Sequence, residues 1–177
     1  MRAETESEYV EYVRARWLWL HRTAYVLCGD ADRAEDIAQA TVVALYPRWR
    51  RVSTLDNVDG YVRRMLVRRF LDETRRGWSR IVLTAQAPEP AATAPSDADA
   101  AAVVHSALRR LAPRQRAALV LRFMYDLSVA DTAAAMGCSE GNVKSQTARG
   151  LAALRPLLSS LDELGRDELS GKEQGHA

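Results

Sequence analysis

Residues Leu127 to Leu154 read LSVADTAAAMGCSEGNVKSQTARGLAAL, two short helical patterns joined by one tight turn. Val129, Thr132, Ala133 and Met136 recur at i, i+3, i+4 and i+7, which puts an apolar stripe on a helix that Ser128 opens as N-cap, with Asp131 three residues on. Gly137 can take the left-handed backbone that stops this helix, and Ser139 can cap the next, so Gly137-Cys138-Ser139 suits the turn of a helix-turn-helix. At about 100° per residue, Val143, Thr147, Leu151 and Leu154 fall on one side of the second helix and face the first. Asn142, Ser145 and Arg149 fall on the other side, with the small residues Gly141, Ala148 and Ala152 between them and Lys144 at the flank. Such a face offers hydrogen-bonding groups for base edges and cations for phosphate, which is what reading a major groove requires. The bland alternative is a helical hairpin with a solvated face.

Around this stretch the chain has 177 residues, enough for one domain or two small ones, each with a modest helical core. Strand signals are scarce, and 47% hydrophobic with 27% charged residues places the chain among ordinary soluble proteins rather than disordered ones. Cys28 and Cys138 lie far apart without a CxxC, and with only three histidines the composition argues against zinc or a disulfide framework. No cofactor or metal is expected. No apolar run approaches the roughly 20 residues of a membrane span, so the expected location is the cytoplasm and no membrane contact is expected.

Upstream, Val10, Val13, Trp17, Leu20, Ala24 and Leu27 make one apolar seam along a long helix over residues 9 to 28. The next helix, from about Ala31 to Tyr46, is sharply divided. Asp32, Glu35, Asp36 and Gln39 share a narrow face opposite Ile37, Ala38, Thr41, Val42 and Leu45. A solvated acidic face is the ordinary reading of such a pattern, but Val43 gives it the apolar centre of a docking surface. After a break over Pro47 to Asp59 comes the basic helix. Between Gly60 and Arg80, seven arginines stand against Asp72 and Glu73, with Arg64, Arg68 and Arg75 on one edge and Tyr61, Phe70 and Trp78 interleaved. Arginine with aromatics suits phosphate contact and stacking on unpaired bases, unless the aromatics are simply core, as Tyr61 and Phe70 could be.

From Ala85 to Ala100 the composition shifts to Ala, Pro, Ser, Thr and Asp, with Pro88, Pro90 and Pro95, which reads as a semi-stiff linker. Helical patterning resumes with Val104, Ala107, Leu108 and Leu111, and Pro113 suits a first helical position. Leu119, Phe123 and Leu127 then lead into the helix-turn-helix within a bundle of about four helices. The expected organisation is all-α: an N-terminal helical domain over 1–84, the linker over 85–100, a C-terminal helix-turn-helix domain over 101–158 and a polar, fraying tail over 159–177.

Three segments taken together resemble the extracytoplasmic-function sigma factors of bacterial RNA polymerase. DADRAEDIAQATVVALY, from Asp30, looks like the polymerase-binding segment of that family. GYVRRMLVRRFLDETRR, from Gly60, is similar to its promoter-melting and minus-ten helix, and LRRLAPRQRAALVLRFMYDLSVADTAAAMGCSEGNVKSQTARGLAAL, from Leu108, to its minus-thirty-five domain. YPRWRRV followed by YVRRMLV is closest to the actinobacterial branch. The resemblance implies that Asp32, Glu35, Asp36 and Gln39, with Val43, meet the clamp helices of core polymerase, the flap being a second contact. It implies that Asn57, in the Ser53 to Asp59 loop, lies where the family captures an unstacked minus-ten base, beside Tyr61, Arg64, Arg68, Arg75 and Trp78. Lys144, Ser145 and Arg149, with Asn142, match minus-thirty-five contacts, and Arg114 and Arg116 match backbone-contacting positions of an earlier helix. Promoter DNA and core polymerase are the implied partners, and an anti-sigma factor is a further partner the resemblance allows. Arg68 stands where the family usually has asparagine, and Gln146 where it usually has a basic residue, so the family's base preference does not carry over at those positions.

The competing reading is a stand-alone helix-turn-helix repressor with an N-terminal dimerisation or effector module, which has no use for the acidic face. An enzyme is a poor third, since no metal cluster, phosphate-cradling glycine loop or paired nucleophile and base is visible.

Overall fold

The computed structural model describes the backbone of residues 2–83 and 100–172 and the side chains of residues 5–75 and 104–158. Every regular element among the described residues is helical. The first half consists of α1 (Arg2–Cys28), α2 (Ala31–Leu45), a 3₁₀ turn (Tyr46–Arg48), α3 (Trp49–Val52) and α4 (Val58–Leu83). The second consists of α5 (Ala100–Arg109), α6 (Pro113–Leu119), a π turn (Val120–Met124), α7 (Val129–Met136) and α8 (Glu140–Lys172). No described helix is long and apolar enough to cross a membrane.

The helix boundaries follow from local chemistry. Asp30 accepts from the Arg33 amide at 2.8 Å and caps α2. At the helix-turn-helix, Ser128 accepts from the Asp131 amide at 2.9 Å and donates to the Asp131 carboxylate at 2.6 Å, satisfying a helix-start amide that would otherwise be orphaned. Gly137 ends α7 at φ 65°, ψ 44°, the left-handed conformation in which a Cβ is strained, and the Cys138 amide returns to the Ala133 carbonyl at 3.1 Å. Ser139 then caps α8 through the Asn142 amide at 3.2 Å.

In the first half α1, α2 and α4 close around Leu20, Leu27, Ile37, Leu45, Val62, Leu66 and Phe70, all buried. Trp49 fills the open end beneath the rings of Tyr9 and Tyr12, whose centroids lie 5.7 and 4.9 Å away. The seam expected on α1 buries Leu20, Ala24 and Leu27 but leaves Val10 exposed where α1 runs past its neighbours. In the second half Leu108, Leu111, Leu119, Leu121, Met136, Val143 and Leu154 form the core.

Two expected stripes are redrawn. Leu119 is buried, but Phe123 is 62% exposed, because the π turn spends one residue more per turn than an α-helix and slips the count by one position. On α8 the inward residue after Thr147 is Gly150, while Leu151 is 43% exposed. A Cβ on Gly150 would lie 3.0 Å from Leu119 Cδ1, so α6 and α8 approach closely only because position 150 has no side chain. The expected tail is also different in its first part, since α8 continues through Pro156 as far as Lys172.

The two halves are docked on one another. α7 lies along α4, and α5 and α6 meet α1. Arg116 of α6 reaches the Leu27 carbonyl at 2.6 Å, Arg68 of α4 reaches the Ala134 carbonyl at 2.9 Å, and the hydroxyls of Thr23 and Tyr125 are hydrogen-bonded. The expectation of two units held apart by a stiff spacer therefore gives way to direct contact; residues 84–99 lie outside the described residues.

Gly150→Val should overpack the α6–α8 contact and lower stability by about 1–3 kcal/mol. Urea denaturation of wild type and variant tests this, and equal midpoints would show that the close approach is not needed.

Candidate nucleic-acid interface

α2 presents its acids as a coherent face. Asp32, Glu35, Asp36, Gln39 and Val43 are all exposed, with Val43 at 71%, while Ile37, Ala38, Thr41 and Leu45 on the opposite side are buried. Gln39 Nε2 donates to Glu35 Oε1 at 2.8 Å, which orders the middle of the face. Arg33 is turned away and bridges to Glu73 of α4 at 3.1 Å, so the one cation in this part of α2 is engaged across the helix pair rather than against the acidic face.

α4 divides its arginines. Arg63 points inward, its guanidinium 4.4 Å from the centroid of the Tyr125 ring and 5.8 Å from that of Trp19. Arg64, Arg68 and Arg75 stay exposed on the outer edge, with Asp72 reaching Arg75 at 4.0 Å. Phe70 is core and Tyr61 is half-buried against it, so neither ring stands free on the surface. The side chain of Trp78 lies outside the described residues. Asn57 is exposed at the entry to α4, and its Oδ1 accepts from the Gly60 amide at 2.7 Å. Its carbonyl is thus committed to capping the helix, and its Nδ2 is the atom left for any other contact.

On α8, Lys144, Ser145 and Arg149 are exposed together with Gly141, Ala148 and Ala152, as the face expected from the sequence requires. Asn142 is half-buried, with its Oδ1 shielded from solvent. Arg114 is exposed on α6, but Arg116, expected beside it as a phosphate contact, is 7% exposed. Its Nη1 donates to the Leu27 carbonyl at 2.6 Å and its Nη2 to the carbonyls of Arg109 at 2.8 Å and Leu111 at 3.1 Å. Burial pushes its pKa down to about 10, still well above neutrality, so a full cation sits against the C-terminal end of α1. With both terminal nitrogens satisfied by carbonyls, Arg116 has no face for a phosphate in this arrangement.

Sequence reasoning did not anticipate the residues that join the halves. Besides Arg116 these are Thr23, Arg63, Arg109 and Tyr125, with His105 stacked on Tyr25 at 5.4 Å between ring centroids. Docking also brings Arg68 and Arg75 of α4 to the same cleft as Arg114 of α6, with Asp72, Leu71, Met136 and Gly137 completing its wall. Most of these contacts end on backbone carbonyls or ring faces, which leave no periodic mark in a sequence.

Comparison with known proteins falls on the same two halves. Residues 13–80 match the family model of Sigma-70 region 2, and residues 101–154 that of Sigma-70 region 4. The RNA polymerase sigma-E factor of Streptomyces avermitilis is 37% identical over 161 residues, covering 88% of this chain and 87% of that protein. The ECF RNA polymerase sigma factor SigM of Mycobacterium tuberculosis is 32% identical over 143 residues, covering 81% and 73%. Among solved structures, the sigma factor RpoE of Bartonella quintana in complex with the anti-sigma factor NepR has a similar fold, with a TM-score of 0.70 at 23% identity over 86% of this chain and 97% of that one. CnrH in complex with the cytosolic domain of CnrY gives a TM-score of 0.54 at 20% identity, over 88% and 90%.

Arg116→Ala should leave three carbonyls unpaired at about 1–3 kcal/mol per lost partner and so destabilise strongly, while Arg114→Ala, at an exposed position, should stay within about 0.5 kcal/mol of wild type. Thermal unfolding of both variants decides it. If Arg116→Ala melted like wild type, its guanidinium would be available for DNA after all.

Proposed function

The chain belongs to the extracytoplasmic-function sigma factors of bacterial RNA polymerase, and from that premise we propose how its surfaces divide the work of promoter recognition. As a sigma factor it binds core RNA polymerase and directs it to promoter DNA. One observation supports the division best: exposed surfaces of opposite charge, an acidic one on α2 and cationic ones on α4 and α8, are carried by one compact chain. DNA repels the first and attracts the second, so the acidic face is fitted to protein and the cationic faces to nucleic acid. Val43 at the centre of the acids supplies the apolar contact a protein interface needs.

In this reading Asp32, Glu35, Asp36, Gln39 and Val43 dock on the clamp helices of core polymerase. Arg64, Arg68 and Arg75 hold the phosphates of the opened minus-ten strand, with Asn57 and Tyr61 at its entry. On the minus-thirty-five duplex, Arg149 and Ser145 read base edges and Lys144 and Arg114 hold the backbone, while Asn142 sets the start of α8. The exposed Phe123 and Met124 are suited to an apolar contact such as the polymerase flap. The activity is positioning and strand separation rather than bond chemistry, carried out in the cytoplasm. Because two proteins of similar fold are in complexes with NepR and CnrY, an anti-sigma factor is proposed as a further partner. A stand-alone repressor leaves the α2 face without a use.

Reversing Asp32, Glu35 and Asp36 to Lys should leave folding nearly unchanged, since exposed substitutions cost little. Affinity for core polymerase should fall at least tenfold in a pull-down titration, and undiminished binding would sink the assignment.

For α8, Arg149→Ala should lose about 1–3 kcal/mol of discrimination at one or two upstream positions, the range for one bidentate arginine–guanine pair. Lys144→Ala should weaken all upstream sequences alike and reduce the salt slope by roughly one. A reporter library randomised at the minus-thirty-five element separates the two. Uniformly lower output from Arg149→Ala, with the preferred sequence kept, would make it a backbone contact.

A further inference from the structure

The docking of the second half on the first falls on the outer edge of α4. Arg68, central among the exposed arginines of that edge, gives its Nη2 to the Ala134 carbonyl of α7 at 2.9 Å, and its guanidinium lies about 4 Å from where a Cβ on Gly137 would stand. Arg75 faces the same cleft, whose opposite wall is Arg114, Met136 and Gly137. Next to it Arg63 is held against the ring of Tyr125, and Tyr125 is bonded to Thr23 of α1. Farther along, the Arg109 side chain crosses Gly29, with Nη1 3.4 Å from its carbonyl, and Arg116 closes the end on Leu27. The α8 face takes no part in this, for Lys144, Ser145 and Arg149 stay exposed.

Length sets a second constraint. Elements centred near positions minus thirty-five and minus ten lie about 25 base pairs apart, or about 85 Å at about 3.4 Å per pair. A compact chain of 177 residues is only about 40 Å across. The docked chain cannot reach both. The 16 residues from 84 to 99 could extend over about 50 Å, so the halves can span the promoter once they part.

We infer that the docked arrangement is a closed state built into the chain itself, in which α7 covers the Arg68 edge of α4 and withholds it from DNA until the halves separate, while the α2 and α8 faces remain available. This rests on the division of surfaces proposed above. Core polymerase can therefore engage the closed chain through α2, and opening is the step that releases the strand-holding edge. The closed form also gathers Arg68, Arg75 and Arg114 around Asp72, a like-charge crowding that salt screens and low ionic strength exposes. Lower salt favours opening.

A reversible lock tests this. A Cβ built on Gly29 lies 3.6 Å from Arg109 Cβ, within the spacing of about 3.5–4.5 Å that a disulfide needs. Gly29→Cys with Arg109→Cys, in a chain with Cys28→Ala and Cys138→Ser, should oxidise readily. Gly29 has φ +73°, which strains any side chain, so the reduced form of the same variant is the reference throughout. The oxidised chain should still bind core polymerase, yet form at least tenfold less open complex by permanganate footprinting, with recovery on reduction. In a separate variant Tyr125→Ala, which removes both the Thr23 bond and the Arg63 stack, small-angle scattering should show a larger radius of gyration and footprinting a severalfold faster opening. Full open-complex formation by the oxidised chain would overturn the closed state as a block. A wild type already as extended as Tyr125→Ala in scattering would overturn its existence. If instead the reduced chain opened no promoter in the randomised library, the proposed surfaces would fail, and the closed state would be judged on oxidation and scattering alone.

Discussion

A guanidinium removed from water must be given back its hydrogen bonds, and in this chain Arg116 is given carbonyls from two directions. The carbonyls of Arg109 and Leu111 come from the corner between α5 and α6, and that of Leu27 from the last turn of α1. The first two fix the corner on which the second half is built. The third fastens that corner to the first half. Helix ends carry unpaired carbonyls and a partial negative charge, so a buried cation is a fitting partner there, and little else in the side-chain repertoire could reach three such groups at once. Remove it and the fold of the second half and its docking are both affected, which is why its position could be mistaken for a DNA contact when only its charge was known.

How much of this was legible from residues alone depended on whether the governing interaction is local. The helix-turn-helix was legible because Ser128, Gly137 and Ser139 act within a few residues of themselves, and the structure puts each cap where its chemistry calls for it. The split of α2 into acidic and apolar faces was legible for the same reason. The stripe through Leu119 and Phe123 failed because a π turn changes the period in mid-segment, and nothing in VLRFM announces it. Leu151 was taken for an inward residue and Gly150 was passed over, since a count of apolar residues cannot register a position whose role is to have no side chain. The docking of the halves was illegible for a third reason: Ala134, Leu27 and Gly29 contribute backbone carbonyls, which every residue has.

Charge explains why a formal net of only +2 is compatible with a polyanionic partner. The acids of α2 and the arginines of α4 and α8 lie on different faces, so the near-neutral total conceals separate fields. Arg33–Glu73 and Arg16–Asp59 are exposed ion pairs, at 3.1 and 3.0 Å, that join neighbouring helices of the first half. Such pairs contribute little stability each. Their consequence is directional: each consumes a cation and an anion inside the helix bundle, and leaves the outward acids of α2 and the outward arginines of α4 without mutual compensation.

The same arginine-rich helix is asked to satisfy two neighbours that cannot be present together. α4 offers a cationic edge suited to an opened strand, and α7 offers it a helical carbonyl, a glycine turn and a cleft of matching width. An exposed hydrogen bond between a guanidinium and a carbonyl is weak compared with a set of phosphate contacts, so DNA should displace α7 once it is held nearby. What resists is the buried part of the interface, Arg116 on Leu27 and Tyr125 on Thr23, which lies away from the cleft. Displacement at the cleft and release at the buried end are therefore separate events, and it is the second that sets how far apart the two DNA-reading surfaces can move.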